Sequence, residues 1–137
     1  MWVSRKQGTA ATTKQRGDEA EDAALAHLQR HGLRLVQRNF RTPGRGGGEI
    51  DLIMREPDGT LVFVEVRRRA SASRGGAGAS ITGVKQRRIV FAARHFLLWL
   101  GSEPPCRFDV VLQQGGDGDG PAGIEWLRGA FDASGTF

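Results

Sequence analysis

Apolar residues recur along this chain with two different periods, and the changes of period mark out its elements. Between Gly17 and His31, Ala24, Leu25 and Leu28 fall at helical spacing and Gly32 offers a left-handed cap, so a first helix is predicted there. Leu33 to Phe40 reads as a strand and Thr42 to Gly48 as a Pro/Gly-rich crossing. Two short β-rich runs, Ile50 to Met54 and Leu61 to Val66, flank a Pro57-Asp58-Gly59 turn and predict an antiparallel hairpin. The Ser/Gly/Ala run from Ser71 to Ser80 is too poor in apolar side chains to pack and is expected to be a mobile loop. Thr82 is placed to cap a second helix running to Leu100, because Ile89, Ala92, Ala93, Phe96, Leu97 and Leu100 share one face. Gly101 and Pro104-Pro105 end it. Arg107 to Leu112 alternates as a strand, Gln113 to Gly123 is a Gly-rich surface loop, and Ile124 to Leu127 is a short last strand. The expected organisation is one α/β domain over residues 17–137, preceded by a basic flexible tail over residues 1–16.

Length and composition narrow the classes open to such a domain. At 137 residues it can bury a core without staples, and Cys106, its only cysteine, allows neither an internal disulfide nor a Cys-based zinc site. A reducing cytoplasm is the expected home. The longest apolar stretch, Ile89 to Leu100, is too short to span a bilayer and is interrupted by Arg94 and His95, so no membrane span is expected. The tail holds Arg5, Lys6, Lys14 and Arg16 but no apolar segment of the kind a secretory signal needs. A formal net charge of +5 favours a polyanionic partner, with solvated surface charge as the plain alternative.

Three carboxylates break the apolar pattern. In an extended strand Glu49, Asp51 and Ile53 point one way and Ile50, Leu52 and Met54 the other. Across the turn, Phe63, Glu65 and Arg67 share a side opposite Val62, Val64 and Val66. Glu65 therefore sits inside an apolar strand, where an unpaired carboxylate would be costly, so it needs a cation or a metal. On the first helix Glu21 lies on the inward face, three, four and seven positions before Ala24, Leu25 and Leu28. Glu21, Asp51 and Glu65 together suit Mg²⁺ or Mn²⁺, hard ions that act on phosphate esters. The alternative is structural: Glu65 pairs with Arg67 or Arg69, Asp51 with an arginine elsewhere, and Glu21 lies at the helix margin.

The strings Gly48-Glu49-Ile50-Asp51-Leu52-Ile53 and Phe63-Val64-Glu65-Val66-Arg67 resemble those of the YraN-like family of small bacterial proteins with a restriction-endonuclease-like fold. The likeness runs from Gly17 to Ala133. It takes in Glu21-Asp22, Asn39-Phe40-Arg41, Lys85-Gln86-Arg87-Arg88, Arg107-Phe108-Asp109-Val110-Val111 and Ile124-Glu125-Trp126. The resemblance implies a PD-(D/E)XK-type core in α-β-β-β-α-β order, a mixed sheet flanked by helices, similar to that of Holliday-junction resolvases. It further implies Asp51, Glu65 and the basic residue two positions on as the catalytic signature, with Glu21 as the helix acid. Small nucleases of this type often dimerise, so a homodimer is an expectation of the same kind. Two positions depart from the pattern: Ala20 stands where the family usually has glycine, and Arg67 where the signature has lysine. Arginine stays protonated and cannot act as a general base, although it can clamp a phosphate.

Lys85 and Gln86, one turn before Ile89, extend the second helix's inner face toward the acids, and Lys85 is a candidate to compensate for Arg67. Arg67, Arg68, Arg69 and Arg74, with Arg87 and Arg88, form a basic run where a DNA backbone would pass; a solvated charged surface is the alternative reading. Two functions follow. The first is a Mg²⁺- or Mn²⁺-dependent DNA endonuclease for branched or otherwise structured substrates. It would use Asp51, Glu65, Arg67 and Lys85 in catalysis, Glu21, Asp51 and Glu65 on the metal, and Glu49 and Gln86 in support. The second is a non-catalytic nucleic-acid-binding domain on a nuclease scaffold.

Overall fold

The computed structural model describes residues 13–44, 47–69, 81–114 and 123–133. The elements are α1 (Thr13–Arg30), β1 (Arg34–Arg41), β2 (Glu49–Arg55), β3 (Leu61–Arg69), α2 (Gly83–Leu100), β4 (Cys106–Gln114) and β5 (Ile124–Phe131). The tail as far as residue 12, the loop over 71–80 with Arg74, and the Gly-rich segment over 115–122 lie outside the described residues. No helix among them is long and apolar enough to cross a membrane.

The strands form one five-stranded sheet in the order β1-β2-β3-β4-β5. All neighbours run antiparallel except β3 and β4, which are parallel from Leu61↔Cys106 to Arg69↔Gln114. A parallel pair needs a crossover, and α2 supplies it. Each helix covers one face. Ala24 and Leu28 of α1 pack with Leu52, Met54, Val62 and Val64, while Ile89, Ala92 and Phe96 of α2 pack with Ile50, Ile53 and Phe63. Caps define α2 sharply: Thr82 Oγ1 accepts from Lys85 N, and Gly101, at φ 82°, donates its N–H to Leu97 O.

Three expectations change. Helix α1 begins at Thr13 rather than Gly17, so residues 13–16, expected as tail, are helical; Thr13-Lys14-Gln15-Arg16 holds no apolar residue to give a period, and Lys14 pairs with Asp18 at 3.1 Å. Strand β5 continues past Leu127 to Phe131 through Gly129, which adopts φ 60°. Strict alternation along β2 also fails. Ile50 joins Ile53 beneath α2 instead of facing away with Leu52 and Met54. Across from this break, Asn39 of β1 adopts φ 51°, and the β2–β3 pairing stops at Leu52↔Val64. Asp51 therefore stands where β2 peels away from β3.

Candidate functional site

The peeling of β2 opens a gap at the far end of the hairpin, and two acids fill it. Asp51 Oδ2 accepts the Val66 N–H at 2.8 Å, a backbone donor that would otherwise serve the missing ladder. Glu65, on the next strand, is only 8 % exposed, and its carboxyl and that of Asp51 interact directly. Burial pushes the Asp51 carboxyl up to about 8 and the adjacent Glu65 adds to this, whereas the Val66 N–H pulls it down. Burial likewise raises Glu65, opposed by the positive charges of Lys85 and Arg67. Two carboxyls that interact this closely titrate as a pair.

Lys85 completes the cluster. Its position in the first turn of α2, which Thr82 caps, carries Nζ to 3.3 Å from Glu65 Oε2. Arg67 is half-buried two residues beyond Glu65, so alternation sets it on the same side. The structure thus brings Asp51, Glu65 and Lys85 together, with Arg67 adjoining.

The remaining candidates are placed differently. Glu21 is held by Arg38 of β1, whose Nη2 lies 3.3 Å from Glu21 Oε1 and whose Nη1 lies 2.9 Å from Asp22 Oδ1. Glu21 reaches Asp51 only through its field. Among the described residues no three His, Cys, Asp or Glu side chains are grouped closely enough to hold one ion, so the expected gathering of Glu21, Asp51 and Glu65 is not formed. Glu49 is half-exposed with Oε2 3.6 Å from Arg41 Nε. Gln86 turns away from the acids and donates to Ile81 O at 2.8 Å, tying down the entry to α2. Arg68, Arg87 and Arg88 are exposed, and Arg69 closes β3.

Sequence reasoning missed two structural carboxylate partners. Arg38 clamps the helix acid, and nothing local in β1 sets it apart from Arg34 and Arg41. Asp109 is fully buried, accepting from Arg107 at 2.9 and 3.0 Å, Trp126 Nε1 at 2.8 Å and the Gly129 N–H at 2.9 Å. The argument that singled out Glu65, an acid within an apolar strand, applies to it unchanged.

Comparison with known proteins agrees over nearly the whole chain. A relative described as a UPF0102 protein from Polaromonas naphthalenivorans (strain CJ2) is 63 % identical over 98 % of this chain and 100 % of its own length. Another from Albidiferax ferrireducens is 66 % identical over 97 % of this chain and 99 % of the relative. A solved structure titled "Crystal structure of SSO0001" overlaps 92 % of this chain and 57 % of its own at 12 % identity and a TM-score of 0.41. The family model described as "Uncharacterised protein family UPF0102" matches residues 20–112, a span that includes Glu21, Asp51, Glu65 and Lys85. The chain belongs to the UPF0102 family.

Proposed function

We propose that this protein is a divalent-metal-dependent endonuclease acting on DNA phosphodiesters, branched or otherwise structured DNA included, built on a restriction-endonuclease-like core. The observation that carries the reading is the pairing of buried Glu65 with half-buried Asp51 on the neighbouring strand, with Lys85 Nζ 3.3 Å from Glu65. Burying two acids side by side is unfavourable for folding and is common where a site binds a cation. Their oxygens form a hard donor set of the kind Mg²⁺ or Mn²⁺ takes with waters completing the shell. The residues fit such an ion as a two-carboxylate site held by Asp51 and Glu65, and Glu21 would join only by leaving Arg38.

When bound, the ion would supply a polarised water and neutralise charge on the phosphate. The chain's own part is to orient and to hold charge. Val66 N–H fixes the Asp51 carboxylate, Lys85 holds Glu65 and offers an ammonium to the phosphate, and Arg67 adds a permanent positive charge beside them. The test is cleavage of duplex, single-stranded, flap and four-way DNA with Mg²⁺, Mn²⁺ or EDTA. Cutting that requires metal and is lost in Glu65→Gln is the expected result; a wild type that cuts nothing in the panel overturns it.

Arg67 favours a second reading, a nucleic-acid-binding domain without catalysis, because a guanidinium cannot deprotonate water. It predicts salt-sensitive DNA binding with no cleavage under any metal.

A further inference from the structure

Beside the acid pair lies a second concavity that the nuclease reading leaves without a role. It is a pocket of about 440 Å³ between the β1–β2 crossing and the first turns of α2, lined by Arg41, Thr42, Gly48, Glu49, Lys85 and Arg88. Its walls are set by contacts only glycine permits. Thr42 Oγ1 accepts the Gly48 N–H at 2.9 Å, and Thr42 N donates to Gly48 O at 3.2 Å, closing the crossing on itself. A Cβ on Gly48 would stand 2.1 Å from the Arg88 carbonyl oxygen, and one on Gly47 would stand 2.0 Å from Thr42 Oγ1. The crossing therefore lies directly on α2, which sets the end of β1, with Arg41, alongside Lys85 and Arg88.

The charge of this pocket is lopsided. Arg41, Lys85 and Arg88 line it with one carboxylate, Glu49; Lys85 is engaged by Glu65, and the 3.6 Å approach of Glu49 to Arg41 Nε is too long for a good hydrogen bond. The Arg41 side chain is 73 % exposed and so is held only loosely. Guanidinium groups around a small, glycine-walled hollow suit a compact oxyanion, and phosphate above others. Lys85 belongs to both places: it lines the pocket and its ammonium reaches Glu65. A phosphate seated in the pocket is then one lysine side chain away from the acids.

We propose that this pocket seats a phosphate group of the bound strand, next to the phosphodiester presented to Asp51 and Glu65. The proposal rests on the nuclease reading for its orientation, and the strand's own phosphates, internal or terminal, are its ligand.

The experiment measures binding of short single-stranded DNA in EDTA by fluorescence anisotropy across a salt series. The proteins compared are the wild type, Arg41→Ala/Arg88→Ala, Arg41→Lys/Arg88→Lys, and the equally charge-depleted control Arg30→Ala/Arg34→Ala. The first double variant is expected to bind about tenfold more weakly at low salt, roughly the worth of one charge-assisted hydrogen bond. Its log–log salt slope should be shallower by about 0.7 for each phosphate released. The lysine variant should restore most of the slope and the control should keep wild-type binding. Mn²⁺-induced stabilisation should be the same in all four, which also shows that they fold. A preference of the wild type alone for terminally phosphorylated DNA assigns the pocket to an end; equal binding of both DNAs assigns it to an internal phosphodiester. Wild-type affinity and slope in Arg41→Ala/Arg88→Ala, or an equal loss in the control, overturns the pocket. Either result beside metal-dependent cleavage would leave the nuclease reading intact, whereas pocket-dependent binding without cleavage would leave the pocket and remove the nuclease.

Discussion

Burial where β2 parts from β3, with Glu65 alongside, raises the Asp51 carboxyl from its ordinary 3.8 to about 8. The folded protein consequently keeps a proton that the unfolded chain gives up between those values. Stability contributed by this group is full below pH 3.8 and is lost as pH rises through about 8. An asparagine side chain in its place has no such penalty and can still accept the Val66 N–H. Asp51→Asn should therefore melt higher than wild type in EDTA at pH 8, by on the order of 5 °C, with the advantage shrinking toward pH 4. The same variant should lose the stabilisation that Mn²⁺ gives the wild type, about 2.7 kcal/mol at a hundredfold excess over Kd. A pH-independent difference would mean that Asp51 is not raised, and an undiminished Mn²⁺ effect that it is not a ligand. Arg67 is the other decisive position. If the metal-polarised water does most of the chemistry, Arg67→Lys should keep or raise Mg²⁺-dependent cleavage and Lys85→Ala should lower it about tenfold or more. Opposite signs in single-turnover assays would assign Arg67 a role that lysine cannot fill.

At the level of elements, two carboxylates embedded in strands have opposite fates, and their surroundings explain why. Glu65 meets an acid and one exposed lysine at the open end of the hairpin, whereas Asp109 meets Arg107, Trp126 and the Gly129 N–H and is fully satisfied. Arg107 also reaches Glu56 at 2.8 Å, so the Asp109 cluster joins the β2–β3 turn, β4 and β5. Removing one partner of a buried ionic network leaves the others desolvated and unpaired. Asp109→Ala should cost about 3–5 kcal/mol in urea unfolding, and a loss below about 1 kcal/mol would show the network to be dispensable. The contrast also explains what sequence reasoning could reach. The bounds of α2 were legible because Thr82 and Gly101 are local caps and its apolar face is continuous. The alternation of Val62, Val64 and Val66 against Phe63 and Glu65 was legible because β3 is paired on both sides. The joining of Ile50 with Ile53 was not, since it depends on β2 leaving its neighbour, a tertiary event without a local signature. The same holds for Glu21, whose inward position follows from helical spacing while its capture by Arg38, on a different element, does not.

Across the whole molecule, the two ends of the sheet differ in charge. At the turn end Arg34, Arg55 and Arg107 are balanced by Glu56, Asp58 and Glu103, with Arg107 bonded to Glu56 and Arg55 to the Gly59 carbonyl. At the other end Arg41, Arg67, Arg68, Lys85, Arg87 and Arg88 lie near Asp51 and Glu65, whose ionisation burial opposes. Among the described residues, exposed cations therefore gather near the acid pair and the crossing. A polyanion should approach from that end, guided by phosphates and largely indifferent to base sequence, because the exposed cations lie in first turns and strand ends rather than along a groove-reading helix. If about four duplex phosphates are neutralised, the slope of log K against log salt is about −3.6, and affinity should fall on the order of a hundredfold between 50 and 200 mM salt. Divalent metal should strengthen binding at fixed ionic strength by removing the repulsion of Asp51 and Glu65, and this gain should vanish in Glu65→Gln. Duplexes of unrelated sequence should give the same slope. A shallow slope with strong sequence preference would place recognition in base contacts, and an equal slope after Arg30→Ala/Arg34→Ala and Arg67→Ala/Arg68→Ala would show that the crowded end is not where DNA is held.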